Sequence, residues 1–459
     1  MKYLPAQQIL FGGLLLLVGL ALPGRLSAQT LYFDVNGTTP GSGVTASTYN
    51  WNTSTSNWNT DSTGGAGGSL SSFINGRAVH FAAGTDATAN YTVTTDTSVT
   101  SVDSLSYSGK TGTGTGSNLK IDGAGSPLEI VTGNVTVNRG VSAPNNNYVN
   151  LQVRLSGSNG LTVDGGGQLW LNYTGASTYS GTTTVKGSNT NLYFQSSNML
   201  PTASVLDLQT GAFIFLPNTQ TLAGLTGSGG ITSNHATLAG LVLNSASGTH
   251  DFSGAMTANV GGRVTNITKQ GAFTQILSGS NLTGSIIVSG GVLALNNSAA
   301  DNTTLSSGTI LISGGSLRLD TENQINNTAD MTLSGGTFDL NGVSAETLGT
   351  LEMTLDSTID FGSGTSALAF AASNAETWGV AQTLTIDNFN PGTDTLKFGT
   401  DSSGLTVSQL AQIQFTGYAL GGEIDSLGFV TPVPEPGTLA FLLGAGLFFA
   451  QLRLRRSAS

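Results

Sequence analysis

The stretches IVSGGVLALN (residues 287–296), LISGGSLRLD (311–320) and TLSGGTFDLN (332–341) are one unit written three times: a strand, a Gly-Gly turn, a strand, and a closing Asn or Asp. Their first paired glycines, Gly290, Gly314 and Gly335, lie 24 and 21 residues apart. An earlier version, TVDGGGQLWLN from Thr162, carries one more glycine. Apolar and polar residues alternate on both sides of each turn, as in Leu317 and Leu319 around Arg318, which is the period of a half-buried strand. A repeat this short, built only of strands and turns, cannot bury its apolar face alone. Stacked copies bury a continuous core, so the pattern predicts an all-β, right-handed parallel β-solenoid (β-helix). Glycine supplies the corner backbone, and a following Asn or Asp closes the turn with its side chain. An antiparallel β-sandwich with Gly-rich hairpins is the alternative.

The ends of the chain are of a different kind. Residues 1–28 combine Lys2, an apolar run from Ile9 to Leu22, a Pro23-Gly24 breaker and a small-residue site, which reads as a secretory signal peptide cleaved between Ala28 and Gln29. There is no cysteine, so neither disulfides nor thiolate metal sites enter the argument. Only 9% of residues are charged while 38% are hydrophobic, and disorder needs the reverse balance. From 29 to 435 the body carries 10 basic and 26 acidic residues, which argues against nucleic acid as a partner.

Residues 177–194, STYSGTTTVKGSNTNLYF, and 278–297, SGSNLTGSIIVSGGVLALNN, resemble the autotransporter-associated β-strand repeat. The resemblance runs over most of 31–430 and implies a surface-exposed passenger. Autotransporters follow that passenger with a translocator barrel, and here only 27 residues follow Pro432.

Those last residues hold three parts in order. Val433, Pro434, Glu435 and Pro436 come first, an apolar segment from Leu439 to Leu452 second, and Arg453, Arg455 and Arg456 third. Together they resemble the PEP-CTERM sorting signal, also known as the C-terminal region of some ice-binding proteins. The prolines keep the approach extended. The 14 apolar residues give about 21 Å of helix, short of a hydrocarbon core of roughly 30 Å. Such a helix suits transient insertion, with the arginines left cytoplasmic. The resemblance implies an exosortase-type membrane protease as partner and delivery to the cell surface or extracellular matrix. A permanent anchor is the alternative.

Catalytic and ligand-binding constellations are weak, so no catalytic, cofactor-binding or metal-ligating residue is assigned. His80, His235 and His250 lack ligand spacing. SGKTGTG from Ser108 lacks the first glycine of a phosphate loop, and DVNG from Asp34 lacks the later carboxylates of a calcium loop. Asp356 and Asp360, placed on one strand, would share a face about 13 Å apart, too far for a glycosidase pair. Trp51 and Trp58 suit either sugar stacking or, preferably, closing the open end of the stack.

The expected organisation is a signal peptide (1–28), an N-terminal β cap (29–110), the repeat solenoid (111–374), a C-terminal β cap with a short helix at 408–412 (375–432), and the sorting signal (433–459). The expected function is that of an exported, non-enzymatic surface or matrix protein engaged in adhesion, with extracellular polysaccharide or other cells as partners. A polysaccharide-active β-helix enzyme and an ice-binding protein are the alternatives. The latter needs Thr-x-Thr ladders, and TTTV and TGTGTG are isolated patches.

Overall fold

The computed structural model describes residues 29–435, apart from 85, 88, 110–117, 124–125, 139–146, 234–238, 259–263, 281–282, 299–307 and 344. The two strands of each Gly-Gly unit do not pair with each other. Strand Thr283–Val288 pairs in parallel with Ile310–Ile312, which pairs with Met331–Ser334, and that with Leu351–Leu355. Strand Val292–Leu295 likewise pairs with Ser316–Leu319, then Thr337–Asp339, then Ser357–Asp360. Each glycine pair is therefore a corner between two sheets and not a hairpin, which excludes the sandwich and leaves a right-handed parallel β-solenoid. The corner demands glycine for a geometric reason. Gly291 and Gly315 have φ of 61° and 69°, and a Cβ on Gly315 would lie 2.5 Å from the carbonyl oxygen of Gly291.

Three faces run along the rod. The first is an unbroken parallel ladder from Leu31–Phe33 to Ile413–Phe415, passing through the boundaries expected near residues 110 and 374. The second contains nine strands from Thr48–Trp51 to Ala255–Thr257, and Glu346–Leu348, Ala367–Phe370 and Thr395–Phe398 occupy the same place in the order of later rungs. The third contains Ser101–Val102, Leu128–Ile130 and Leu155–Ser156, then seven strands from Gln220–Leu222 to Leu351–Leu355.

Alternation puts every second residue inside, and parallel register stacks those residues into columns. Leu293, Leu317, Phe338, Ile359, Ile386 and Phe415 form one such column, all fully buried. Burial of each side chain contributes roughly 1.5–3 kcal/mol, and this column is the physical content of the repeat.

Where the third face lacks strands, buried side chains take over from the backbone. Ser177 Oγ accepts the Leu155 N–H at 3.0 Å. The Gln220 amide accepts from Met199 N at 2.8 Å and donates to the Ser196 carbonyl at 2.7 Å. On the second face, which has no strand among the described residues between Ala255–Thr257 and Glu346–Leu348, Gln324 brackets Asn297 in the same way, accepting from its N at 2.7 Å and donating to its carbonyl at 2.9 Å. Within STYSGTTTV, the Tyr179 hydroxyl meets Thr183 Oγ1, which meets Ser204 Oγ on the next rung at 2.8 Å. The motif thus encodes an internal chain of hydroxyls.

The pairing turns antiparallel at both ends. Leu31–Phe33 meets Ser56–Asn59, which meets Ser71–Ser72. At the other end Thr395–Phe398 meets Phe429–Val433, which folds back on Ala419–Ile424. A one-turn helix, Val407–Leu410, overlaps the expected 408–412 and is capped by Thr406. Among the described residues no helix is long and apolar enough to cross a membrane. The expected signal peptide with Ala28, and the apolar segment with Pro436, Arg453, Arg455 and Arg456, lie outside the described residues.

Candidate functional site

The first candidate is the point where the body hands over to the sorting motif. Val433 is the last residue of strand Phe429–Val433 and pairs with Ala419. Pro434 and Glu435 then leave the sheet and are exposed. A proline has no N–H to give to a strand, so the ladder ends at Val433. At the opposite end Gln29 is exposed two residues before the first strand.

The second candidate is the outer surface of the nine-stranded face. Leu169 and Leu171 point inward, so Trp170 must point outward, and the same holds for Tyr193 beside Leu192 and Phe215 beside Ile214. Register aligns Trp170, Tyr193 and Phe215 on successive rungs, and Tyr148 joins diagonally from the rung before. Ring centroids are 5.1, 4.9 and 4.3 Å apart along Tyr148, Trp170, Tyr193 and Phe215, all stacked. Trp170 and Tyr193 cover both faces on their neighbours and offer only edges. Burial also raises the Tyr193 phenol pKa.

Tyr148 differs, because its partner Trp170 lies on one side only. Towards the N-terminus the surface opens into a cleft of 360 Å³, whose lining includes Thr92, Asn118, Lys120, Tyr148 and Asn150. Asn118 sits opposite Tyr148 and Lys120 opposite Asn150, a tile of four outward side chains on two adjoining strands. Lys120 pairs with Asp122 at 3.1 Å. The Oδ1 atoms of Asn118 and Asn150 accept no hydrogen bond from the protein. A second cleft of 590 Å³, lined by Asp122, Gln152, Arg154 and Asn172 among others, opens towards the far ends of the same strands.

The tryptophans singled out from sequence are elsewhere. Trp51 and Trp58 are fully buried and pack with Phe73 and Phe81 at centroid distances of 5.3–5.5 Å, so neither presents a surface to a sugar. Trp170, inside a motif already recognised, is the one on the outer face, half-buried between its stacked neighbours. Its signal was available: an aromatic between two inward leucines must face out.

The carboxylates and histidines serve the fold. Asp356 and Asp360 do not share a strand, because the chain turns a corner between Leu355 and Ser357. Asp356 instead accepts the Thr383 N–H at 2.7 Å. Asp360 continues a column with Asp339 and Asp387, headed by Arg318. Asp339 and Asp360 each close a turn, accepting from Asn341 N at 2.8 Å and Gly362 N at 2.9 Å, while Asn388 donates to Asp360 at 2.7 Å and Thr416 Oγ1 to Asp387 from the next rung. Burial, ahead of repulsion from Asp360, raises the Asp339 pKa. Asp34 is buried and accepts from Asn36 N and Asn59 Nδ2, forming a turn. His80 meets Ser106 Oγ at 2.7 Å, and His250 packs on Phe273; burial lowers the pKa of both. His235 and Lys110 lie outside the described residues. No group of three metal-ligating side chains occurs among the described residues. The outward column Thr48, Thr92, Lys120, Asn150 loses threonine after two rungs.

Comparison with known proteins adds one match: residues 432–456 fit the model of the PEP-CTERM protein-sorting motif. This signal marks proteins exported to the cell surface by exosortase-type sorting. No curated protein and no solved structure matches the chain.

Proposed function

We propose that the chain is an exported, non-enzymatic surface or matrix protein, whose β-solenoid is displayed for adhesion after an exosortase-type protease cuts near Pro434 to Pro436. The observation that carries the reading is the sorting motif, starting on the body's final strand and leaving it at exposed Pro434 and Glu435. A rod that folds by stacking its own rungs needs no membrane segment for stability, so the apolar tail serves as a transient address. The resemblance of residues 177–194 and 278–297 to autotransporter-associated repeats supports the same display role. The engagement of Asp339, Asp356 and Asp360 by backbone N–H groups favours this reading over a polysaccharide-active enzyme.

Mass spectrometry of the protein recovered from the cell surface tests the reading. A mature N-terminus at Gln29 and a new C-terminus near Pro434 to Pro436 are expected. Replacing Arg453, Arg455 and Arg456 together by neutral residues should block that processing. Surface-located material ending at Ser459 would establish a permanent anchor instead.

A further inference from the structure

We propose that the cleft at the N-terminal end of the aromatic stack binds a neutral polysaccharide, with one pyranose ring lying on the face of Tyr148 turned away from Trp170. The inference rests on the reading that the body is displayed outside the cell.

The geometry points to a sugar in three steps. Trp170 occupies one side of Tyr148 at 5.1 Å, while Asn150 shares Tyr148's own strand and Thr92, Asn118 and Lys120 of the cleft wall belong to rungs on the other side. Tyr148 therefore turns towards the cleft a ring face with no aromatic on it, beside the shorter in-register side chain of Asn118, whereas Trp170 and Tyr193 have both faces covered. An aromatic face suits the apolar C–H face of a pyranose, and the phenol adds a polar tip.

Two carboxamides flank that ring on the same tile. Asn118 Oδ1 and Asn150 Oδ1 are covered acceptors that receive no hydrogen bond from the protein, and an unmade bond of this kind is unfavourable. Rotation about the carboxamide bond turns such an oxygen to a ligand hydroxyl, and sugars supply hydroxyl donors in number. The cleft's 360 Å³ is at the small end of the roughly 300–1,000 Å³ range of ligand sites, suited to a short length of glycan.

Charge selects a neutral chain. The only ammonium on the tile, Lys120, is already held by Asp122 at 3.1 Å. The body's excess of acidic residues, 26 against 10 basic, repels polyanions at a distance. Because rungs repeat at about 4.8 Å along the face, the polar surface continues from Asn150 through Lys120 to Thr92 and Thr48, giving an extended chain further contacts.

Calorimetric titration of the purified exported protein with cellohexaose, maltohexaose and hexagalacturonate tests this. Saturable binding of at least one neutral oligosaccharide, and weaker binding of hexagalacturonate, is expected. Tyr148→Ala should weaken binding about tenfold, and Tyr148→Phe should stay within about threefold of wild type, because the ring face is retained. Asn150→Ala leaves the ring in place and should weaken binding about threefold or more, which carries the test if Tyr148→Ala does not fold. Binding of neither neutral probe, preference for hexagalacturonate, or indifference to both alanine variants would overturn the proposal. Export and C-terminal processing are measured separately, so failure here leaves the display reading standing.

Discussion

The side-chain amide of Gln275 hydrogen-bonds both backbone groups of Leu225, 50 positions earlier: Oε1 accepts its N–H at 3.0 Å and Nε2 donates to its carbonyl at 2.9 Å. The intervening strand Thr249–Phe252 meets the Leu225 strand only through Gly227 and Phe252. The glutamine fills the place of the missing peptide group, and Nε2 also reaches the His250 carbonyl at 3.3 Å. Gln275→Leu keeps the volume and removes the amide, leaving two buried backbone groups unpaired. A loss of roughly 2–4 kcal/mol is expected, read as a lowered midpoint in urea, because each unmade buried bond costs about 1–3 kcal/mol. An unchanged midpoint would show that His250 and its neighbours close the gap unaided.

Lys269 is fully buried beneath the Gly290-Gly291 corner. Its ammonium donates to the carbonyls of Gln270, Gly271 and Gly290 at 2.8, 3.0 and 2.9 Å and lies 3.8 Å from the centre of the Phe273 ring. Burial pulls its pKa from 10.5 down to about 8. Between those values the unfolded chain binds more protons than the folded one, so this residue makes stability rise with pH from about 8 towards 10.5. Thermal midpoints across that window should show the rise in wild type and lose it in Lys269→Met. The same slope in both proteins would assign it to another group.

Glu346 gives the opposite sign on the acid side. Its side chain is buried in the solenoid, where it accepts the N–H groups of Gln324 and Ile325 at 2.9 and 3.2 Å. Burial, outweighing these bonds, raises its pKa from 4.5 to about 7. The folded state then holds the proton more tightly, so its contribution is complete below pH 4.5 and is lost as pH rises through about 7. The full swing is on the order of 3 kcal/mol. In Glu346→Gln the decline between pH 4.5 and 7 should flatten, as followed by chemical denaturation at fixed temperature. A decline that persists unchanged would place it on other carboxylates.

The repeat and the inward columns were legible in sequence because both depend on local alternation. Leu317 around Arg318 and Leu169 around Trp170 each announce their side without knowledge of the neighbours. What rests on register was not legible. Tyr148, Trp170, Tyr193 and Phe215 meet only because rungs of unequal length end in phase. The corner at Asp356 carries no glycine pair, so the chain there reads as one strand running through Asp356 and Asp360. Gln275 reads as one more polar residue until the distorted strand before it is seen. The sorting motif was legible almost whole, because composition and order define it and no packing is required.

The C-terminal segment should be needed to keep the rod single. Beyond Ser373 lie the last two rungs of the long face, Leu384–Asp387 and Ile413–Phe415, and the antiparallel hairpin of Ala419–Ile424 with Phe429–Val433. Gln409 ties the one-turn helix to the preceding rung by donating to the Ser373 carbonyl at 2.9 Å. Truncation after Ser373 would bare the edge of Ser357–Asp360 and uncover Leu368 and Phe370, which Leu396 and Phe398 otherwise face across the sheet. A parallel edge with unpaired N–H and C=O groups above an apolar column is a template for a second copy. The body from Gln29 to Pro432 should therefore run as one species in light scattering, and the protein ending at Ser373 should form concentration-dependent multimers. If the shorter protein stays equally soluble and monodisperse, the segment from Asn374 onward does not cap the stack.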